Sequence, residues 1–449
     1  MSPTKRLYSE LETALADISP TRIRGVVVQA NSNAVELGGL SGYARLGDLV
    51  RFPGTENTPG GEMLHGEIVG LGAESCFAMV YGDVEGLATG GPVELAAGIE
   101  ARPSAAWIGR VVDAFGRPWG GPPLPRGERA VSLRATPPSP VARRGLGPRL
   151  STGLCALDTV LPICRGQRVG LFAGSGVGKS TLITTLARAL DADVVVIGLV
   201  GERGREVRDF AEKVLSGDGG DRAVIVAATS DQPAPVRRRA AFLTIALAEY
   251  FRDEGRNVLC IVDSLTRVAE AHREIALAGG ETPALRAFPP STSSLIAKLA
   301  ERTGPGEEGQ GDITAVFSVL VAGSDMDEPV ADMTRGILDG HIVLSRDIAE
   351  RGRFPAIDLS KSVSRSLPGA ADENENAMIS IARRVVSLYE DARPMIQSGL
   401  YSAGADPELD AAIALWPALD AFIGQPSPGG VDGSFQALRA ALGDPPEPA

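Results

Sequence analysis

One short segment constrains the fold of this chain more than any other. The sequence AGSGVGKS at residues 173–180 directly follows the apolar run RVGLF and opens a stretch with helical periodicity. Spaced glycines let a backbone curl so that successive amide N–H groups point at phosphate oxygens, and a following helix N-terminus adds donors and positive partial charge. The alternative is a glycine-rich turn that contains GKS by chance, but such a turn would not be expected to lie between an apolar strand and a helix. The pattern therefore predicts a phosphate-binding loop, with Ala where the general motif has its first Gly.

The predicted loop implies a role for each of its residues. Lys179 is expected to reach the β- and γ-phosphates of a nucleotide, and the Ser180 hydroxyl is expected to ligate Mg²⁺. ATP and Mg²⁺ are thus the expected substrate and cofactor. The nucleotide-binding residues of this prediction are Ala173, Gly174, Ser175, Gly176, Val177, Gly178, Lys179, Ser180 and Thr181.

Acidic residues follow two other apolar runs. NVLCIVD ends at Asp263, where a carboxylate beside a phosphate loop holds Mg²⁺, usually through water. The alternative is a helix cap, a role that 264–266 could equally fill. Glu202 follows DVVVIGLV, at the strand end where catalytic groups gather in open α/β sheets, and is the candidate to orient the attacking water. Arg203 is the candidate to hold the γ-phosphate, although a charged turn such as GERGRE is solvated surface in most proteins.

The pattern of apolar residues and glycines changes along the chain. Residues 1–20 have an amphipathic helical pattern, and short Gly-punctuated runs rich in Val, Ile and Leu then predict a small all-β barrel or sandwich. Apolar strands alternating with helices from Gly166 onward predict a mostly parallel α/β sheet, and helical periodicity alone follows Ala371. The predicted domains are an N-terminal helix, a β-domain, an α/β nucleotide-binding domain and a helical domain, at 1–20, 21–97, 98–370 and 371–449.

Composition excludes several classes of protein. Among 449 residues, 44% are hydrophobic and 22% are charged, which excludes a wholly disordered chain. The net charge of −12 disfavours a protein that coats nucleic acid. Apolar runs such as VVVIGLV are far shorter than the ~18–20 residues of a membrane span, and no secretory signal opens the chain. Unpaired cysteine spacing predicts reduced, buried thiols, so we expect a cytoplasmic protein.

These segments together resemble the hexameric ATPases of bacterial flagellar and type III protein export, which are relatives of the catalytic beta subunit of rotary ATP synthases. The resemblance extends from about residue 22 to 425. It depends on FAGSGVGKS, GLVGERGREV, TSDQPAPVRRRAAF, FPPSTSSL, EPVADMTRGILDGHIVLSR, FPAIDLSKSVSR and YSAGADPELD. It implies a RecA-like P-loop ATPase core with an N-terminal β-barrel domain and a C-terminal helical domain. It further implies that Glu202 is the general base and that Arg365, in SVSR, is an arginine finger completing a neighbour's site.

The resemblance also implies partners and a location. It implies a homo-hexamer at the inner-membrane export apparatus, peripheral to the membrane, with no nucleic acid. A dimeric regulator is expected to bind the N-terminal helix at 1–20. The other implied partners are export gate components, a stalk protein and complexes of export chaperones with their substrates.

Four alternatives remain at this point. An ion-translocating rotary catalytic subunit is disfavoured because no acidic DELSEE-like segment is present, and a non-catalytic alpha-type subunit lacks the carboxylate found at Glu202. A RecA-like motor on RNA or DNA could use the cluster Arg237–Arg239, although a solvated helix face is the simpler interpretation. A non-hydrolysing nucleotide-binding scaffold is disfavoured by the complete set of Lys179, Ser180, Glu202 and Asp263.

Overall fold

In the computed structural model, residues 22–443 are described apart from 32–33, 56–62, 97, 217–218 and 322–325. The predicted N-terminal helix at 1–20 lies outside the described residues. The chain divides into two compact units, one formed by residues up to 99 together with 274–282 and the other by the remaining residues.

The first unit contains a closed antiparallel barrel, which resolves the choice between barrel and sandwich. Alternation produces its interior: Val27 is buried, whereas Val26 and Val28 on the same strand are exposed. Leu37, Val50, Ile68 and Val93 are among the residues that fill the barrel. The strand order is β1-β2-β5-β4-β3-β6, with bounds β1 Arg24–Ala30, β2 Val35–Gly38, β3 Leu49–Phe52, β4 Leu64–Leu71, β5 Ser75–Val80 and β6 Pro92–Ala96.

The second unit is built on an eight-stranded sheet in the order β14-β13-β8-β12-β11-β9-β10-β7. All neighbouring pairs are parallel except β13 with β14. The central strands are almost entirely buried, so their sequences are continuous apolar runs. The bounds are β7 Val111–Val112, β8 Arg168–Ala173, β9 Val194–Glu202, β10 Ala223–Thr229, β11 Val258–Asp263, β12 Ile313–Leu320, β13 Gly340–Leu344 and β14 Val363–Ser364.

Helices connect these strands, as parallel pairing requires. The longest of them, Ala234–Asp253, packs on the central strands and begins after Pro233, whose ring cannot donate a backbone hydrogen bond. The other helices of this part are Cys155–Asp158, Lys179–Ala189, Gly204–Leu215, Leu265–Ala278, Ser291–Glu301, Pro329–Ile337 and Arg346–Glu350.

Helices alone form the C-terminal region, with bounds Glu373–Gln397, Pro407–Gly424 and Gly430–Ala441. A capping box at Asp372 and Glu375 starts the first helix, and Tyr389 stacks on Trp416 of the second with ring centroids 4.2 Å apart. The buried carboxylate of Asp158 links this region to the core, because it accepts hydrogen bonds from the hydroxyls of Thr152 and Ser434.

Two further predictions concern burial and length. All four cysteines are buried and free, as their spacing predicted. Within the described part of the chain, every helix is too short or too polar to span a bilayer.

Candidate nucleotide-binding site

The predicted site residues lie where parallel strands end. β8 ends at Ala173, β9 at Glu202 and β11 at Asp263, and these strands lie close together in the order β8-β12-β11-β9. Because all four strands are parallel, their carboxyl ends meet at one edge of the sheet. The fold therefore brings the phosphate loop and both candidate carboxylates together.

The loop itself has the backbone that phosphate binding needs. Gly176 and Gly178 have φ angles of +78° and +94°, values that L side chains rarely adopt. The hydroxyl-bearing residues Ser180 and Thr181 are exposed at the start of helix Lys179–Ala189. Among the described residues, none accepts a hydrogen bond from the amides of residues 174–178. These unpaired N–H groups at a helix N-terminus fit the phosphates of a nucleotide.

Charge is concentrated directly beside the loop. The Lys179 ammonium forms an ion pair with the Asp263 carboxylate, and its Nζ lies 3.5 Å from Oε1 of Glu202. The Asp263 side chain is 4% exposed. Lysine is here the cation that compensates one buried and one partly buried carboxylate. Phosphates that draw the ammonium away would leave the Asp263 carboxylate and the Ser180 hydroxyl as oxygen ligands of the kind Mg²⁺ prefers.

The environment of Glu202 favours its neutral form. Burial of the carboxyl raises its pKa, and the nearby negative charge of Asp263 raises it further, whereas Lys179 opposes both effects. A carboxyl whose pKa is raised toward neutrality is better matched to accepting a proton from water.

The structure separates the two interpretations of Asp263. Ser264 accepts a hydrogen bond from the Arg267 amide at 3.4 Å, so the cap of the following helix is the serine hydroxyl. Asp263 instead contacts Lys179 and accepts a 2.5 Å hydrogen bond from the Ser318 hydroxyl. Ser318 was not predicted from the sequence. Its signal is a lone hydroxyl inside the apolar run ITAVFSVLV.

Two predicted arginines lie away from this cluster in their own chain. The Arg203 guanidinium is exposed, and its NH1 atom lies 3.7 Å from a carboxylate oxygen of Glu206. Arg365 directly follows β14, and its guanidinium donates to the backbone carbonyls of Leu338 and Arg335. The Arg365 amide donates to Asp339, whose own amide donates to Arg168 at the start of β8. Arg365 therefore lies at the amino edge of the sheet, opposite the phosphate loop.

One residue of the site surroundings was missed altogether. The Phe354 ring is half exposed, and a Cβ placed on Gly178 would lie 3.4 Å from it. An exposed aromatic ring beside a phosphate loop offers a face on which a nucleobase can stack. The sequence FPAID contains no local pattern that places this ring at the loop, since Phe354 lies 176 positions after Gly178 in the chain.

Comparison with known proteins agrees with this architecture. The nucleotide-binding domain model of the ATP synthase alpha/beta family matches residues 153–364, and the beta-barrel domain model of that family matches 20–95. The C-terminal domain model of the T3SS EscN ATPase matches 371–440. A flagellum-specific ATP synthase of Caulobacter vibrioides is 46% identical over 427 residues, covering 92% of this chain and 94% of that protein. The chain belongs to the family of flagellar and type III secretion ATPases.

Other members of this ATPase family match at similar extent. The SPI-2 type 3 secretion system ATPase of Salmonella typhimurium is 44% identical and covers 82% of this chain and 84% of its own length. The assembled ATPase EscN of enteropathogenic E. coli has a TM-score of 0.85 at 34% identity, covering 93% of this chain and all of that one. EscN in complex with its central stalk EscO has a TM-score of 0.81, again at 34% identity and with the same coverage.

Membership in the family confirms the predicted fold, an N-terminal β-barrel followed by a RecA-like P-loop core and a C-terminal helical region. It also makes the protein a P-loop enzyme that hydrolyses ATP. The domain boundaries and the roles of individual site residues remain predictions.

Proposed function

We propose that this protein hydrolyses ATP to energise protein export through a flagellar type III secretion apparatus. It would act as a homo-hexamer at the cytoplasmic side of the inner membrane, where it docks export substrates and unloads them from chaperones. The observation that carries the proposal is the cluster of Lys179, Asp263 and Glu202 beside the phosphate loop, in a chain whose flagellar relative matches 92% of its length. Export gate components and a stalk protein are the partners that follow from it.

Each site residue has a part in the proposed hydrolysis. Lys179 exchanges its carboxylate partners for the β- and γ-phosphates, while the loop amides hold the phosphate oxygens. Ser180 and Asp263 would hold Mg²⁺, which when bound neutralises charge on the phosphates. Glu202, released from Lys179, orients water in line with the γ-phosphate and accepts its proton. Arg203 can reach the γ-phosphate only after its guanidinium leaves Glu206.

The contacts of the Arg237–Arg239 cluster argue against the nucleic-acid motor. Arg239 donates to the Ala114 carbonyl at 3.0 Å and lies over the Phe115 ring, while Arg237 donates to the Gln232 carbonyl at 3.0 Å. Guanidinium groups held by such contacts within the chain are less free to follow a phosphate backbone.

Affinity purification of the protein from its own cells tests the proposed function. Export gate components, export chaperones and their cargo should co-purify with it. Recovery of an ion-translocating membrane rotor in their place would contradict the export role. In vitro, hydrolysis should be insensitive to added RNA and DNA, whereas stimulation that falls steeply with salt would instead support a nucleic-acid motor.

We further propose that Phe354 stacks on the adenine ring of ATP. Aromatic stacking on a base contributes about 1–3 kcal/mol, so Phe354→Ala should raise the KM for ATP by about 5- to 150-fold. The kcat at saturation should change little, because the ring is not expected to contact the phosphates. Phe354→Tyr retains a flat ring and should behave as wild type. Steady-state kinetics of the three proteins check this, and an unchanged KM for the alanine variant would place the base elsewhere.

The regulator prediction concerns residues that the structure does not describe. We propose that the amphipathic segment at 1–20 binds a dimeric regulator of the ATPase. Deleting residues 2–18 should abolish co-elution with the regulator on size-exclusion chromatography. The deletion should leave far-UV circular dichroism and nucleotide binding intact, because the barrel and the sheet are both downstream. A truncated protein that still co-elutes with the regulator would refute the assignment.

A further inference from the structure

Ser318 is the one side chain, among those the structure describes, that donates a hydroxyl hydrogen bond to Asp263. It lies on β12 and is fully buried. The pairing of Val262 with Phe317 places Asp263 and Ser318 side by side on adjacent strands, and Ser318 pairs with Leu171 of β8 on its other side. The sheet register itself therefore fixes this hydroxyl between the β11 carboxylate and the strand that leads into the phosphate loop.

The two oxygens of Asp263 have different surroundings. Oδ1 accepts the Ser318 hydrogen bond at 2.5 Å and also the Lys179 ammonium. A length of 2.5–2.7 Å is typical of a strong charge-assisted bond between a hydroxyl and a carboxylate. Oδ2 accepts no hydrogen bond from any residue in the described ranges. One oxygen is thus anchored to the protein, and the other remains available to a ligand.

Nucleotide binding changes this balance in a defined way. In the proposed function Lys179 leaves Asp263 for the phosphates, so Oδ1 would keep Ser318 as its partner and Oδ2 would be the oxygen left to hold Mg²⁺ or its water. Without the Ser318 hydroxyl, the Asp263 carboxylate would have no hydrogen-bond donor among the described residues once Lys179 has moved to the phosphates. It could then rotate about its Cβ–Cγ bond. Groups that orient metal ligands in this way typically contribute 10- to 100-fold in metal affinity or activity.

We propose that Ser318 is a positioning residue for Mg²⁺, because its hydroxyl holds Oδ1 of Asp263 and thereby directs Oδ2 toward the cation. This inference rests on the proposed function, since it requires a magnesium nucleotide at the phosphate loop. It concerns a residue outside the loop, Glu202 and Asp263, and it makes the residue at this position of β12 a determinant of the magnesium requirement.

Equilibrium binding of a fluorescent ADP, measured over a series of Mg²⁺ concentrations and in EDTA, tests the proposal on the full-length protein. Ser318→Ala should need about 10- to 100-fold more Mg²⁺ for half-maximal enhancement of binding. Binding in EDTA should be unchanged, because the loop amides and Lys179 are intact. Ser318→Thr retains the hydroxyl and should restore the wild-type requirement, whereas Ser318→Cys, with a weak S–H donor, should resemble the alanine variant.

Thr314→Val is the matched control on the same strand. Thr314 is also buried, but its hydroxyl accepts from the Gly166 amide at 3.0 Å, and its pairing with Leu259 places it four residues before Asp263 in register. Its magnesium requirement should be that of the wild type. A shift in Thr314→Val as large as that in Ser318→Ala would reduce the effect to a general loss of stability and overturn the proposal.

Two results separate the failure of this inference from failure of the proposed function. If the wild-type protein binds no nucleotide with or without Mg²⁺, the proposed function is wrong. If the wild-type protein binds ADP with a clear magnesium dependence and Ser318→Ala shows the same dependence, the positioning role alone is wrong. If Ser318→Ala loses its cooperative thermal unfolding, the Ser318→Cys variant, which preserves side-chain volume, decides between these outcomes.

Discussion

Rings assembled from Arg365→Ala protomers should bind ATP normally and hydrolyse it about 10³- to 10⁵-fold more slowly than wild-type rings. Fingers of this type contribute that range in well-studied GTPases, because their guanidinium stabilises charge that develops on the γ-phosphoryl oxygens. The measurements are ATP binding by fluorescence, ring assembly by mass photometry and hydrolysis by phosphate release. Arg365→Lys keeps the charge but loses the planar fork of donors, so it should recover only part of the rate.

The geometry of the sheet argues against a role for this arginine in the site of its own subunit. Arg365 is tied through Asp339 to Arg168, the first residue of β8, while the phosphate loop follows Ala173, the last. The two positions are the ends of a six-residue strand, and its five steps of about 3.3 Å each place them about 16 Å apart. That is further than an arginine side chain extends, so Arg365 cannot reach its own phosphate loop.

Mixing two inactive proteins decides whether the finger acts in trans. Arg365→Ala retains an intact phosphate loop, and Lys179→Ala retains an intact finger while losing the charge on the phosphates. In mixed rings some interfaces pair the intact loop of one protomer with the intact finger of the next. Partial activity should therefore return. Mixed rings that are shown to form, yet remain as inactive as either parent, would exclude a trans role for Arg365.

Glu202→Gln should lower kcat by about 10²- to 10⁴-fold while leaving ATP affinity close to that of the wild type. The amide preserves shape and hydrogen bonding but cannot take a proton from water. Glu212→Gln is the matched control, because that glutamate is on the helix that follows Glu202 and its exposed carboxylate pairs with Arg208 instead of a site residue. A Glu202→Gln enzyme that keeps more than half of the wild-type rate would move the general base to another residue.

The pH dependence of kcat/KM tests the general-base role of Glu202 independently. Because burial and Asp263 raise the pKa of Glu202, its carboxyl is protonated at pH values where an ordinary glutamate is ionised. A general base must be ionised, so kcat/KM of the wild type should fall with decreasing pH, starting above the usual carboxyl range near 4.3. That acidic limb should be absent from the residual activity of Glu202→Gln.

Much of the candidate site could be predicted from the sequence because its residues lie at the ends of strands. Parallel strands place their carboxyl ends together, so GKS after one apolar run and acidic residues after two others were enough to predict that Lys179, Glu202 and Asp263 meet. The fold class followed from the same alternation of apolar runs and helices, and the family resemblance added the barrel and the C-terminal helices. Glycine punctuation marked the barrel strands but left barrel or sandwich open, since closure depends on pairing between the first and last strands.

What the sequence did not predict depends on contacts between distant segments. Ser318 reaches Asp263 only because the register of β11 with β12 sets them side by side. Phe354 lies beside Gly178 only because the chain returns to the loop after β13. The two-residue strand Val111–Val112 extends the sheet at its edge, and a pair of valines is too short to show any periodicity. Such features need tertiary structure because local propensity contains no information about partners far along the chain.

The placement of Arg365 at the far edge of its own sheet affects how much ATP the cell would spend on unassembled protein. The proposed finger and the phosphate loop of one protomer lie at opposite edges of the same sheet. No rotamer change or local motion can unite them. Under the proposed trans role, unassembled protomers in the cell hydrolyse little ATP. Rapid hydrolysis begins only where subunits lie side by side in a ring. The length of β8 thereby limits ATP hydrolysis by protomers that are not assembled.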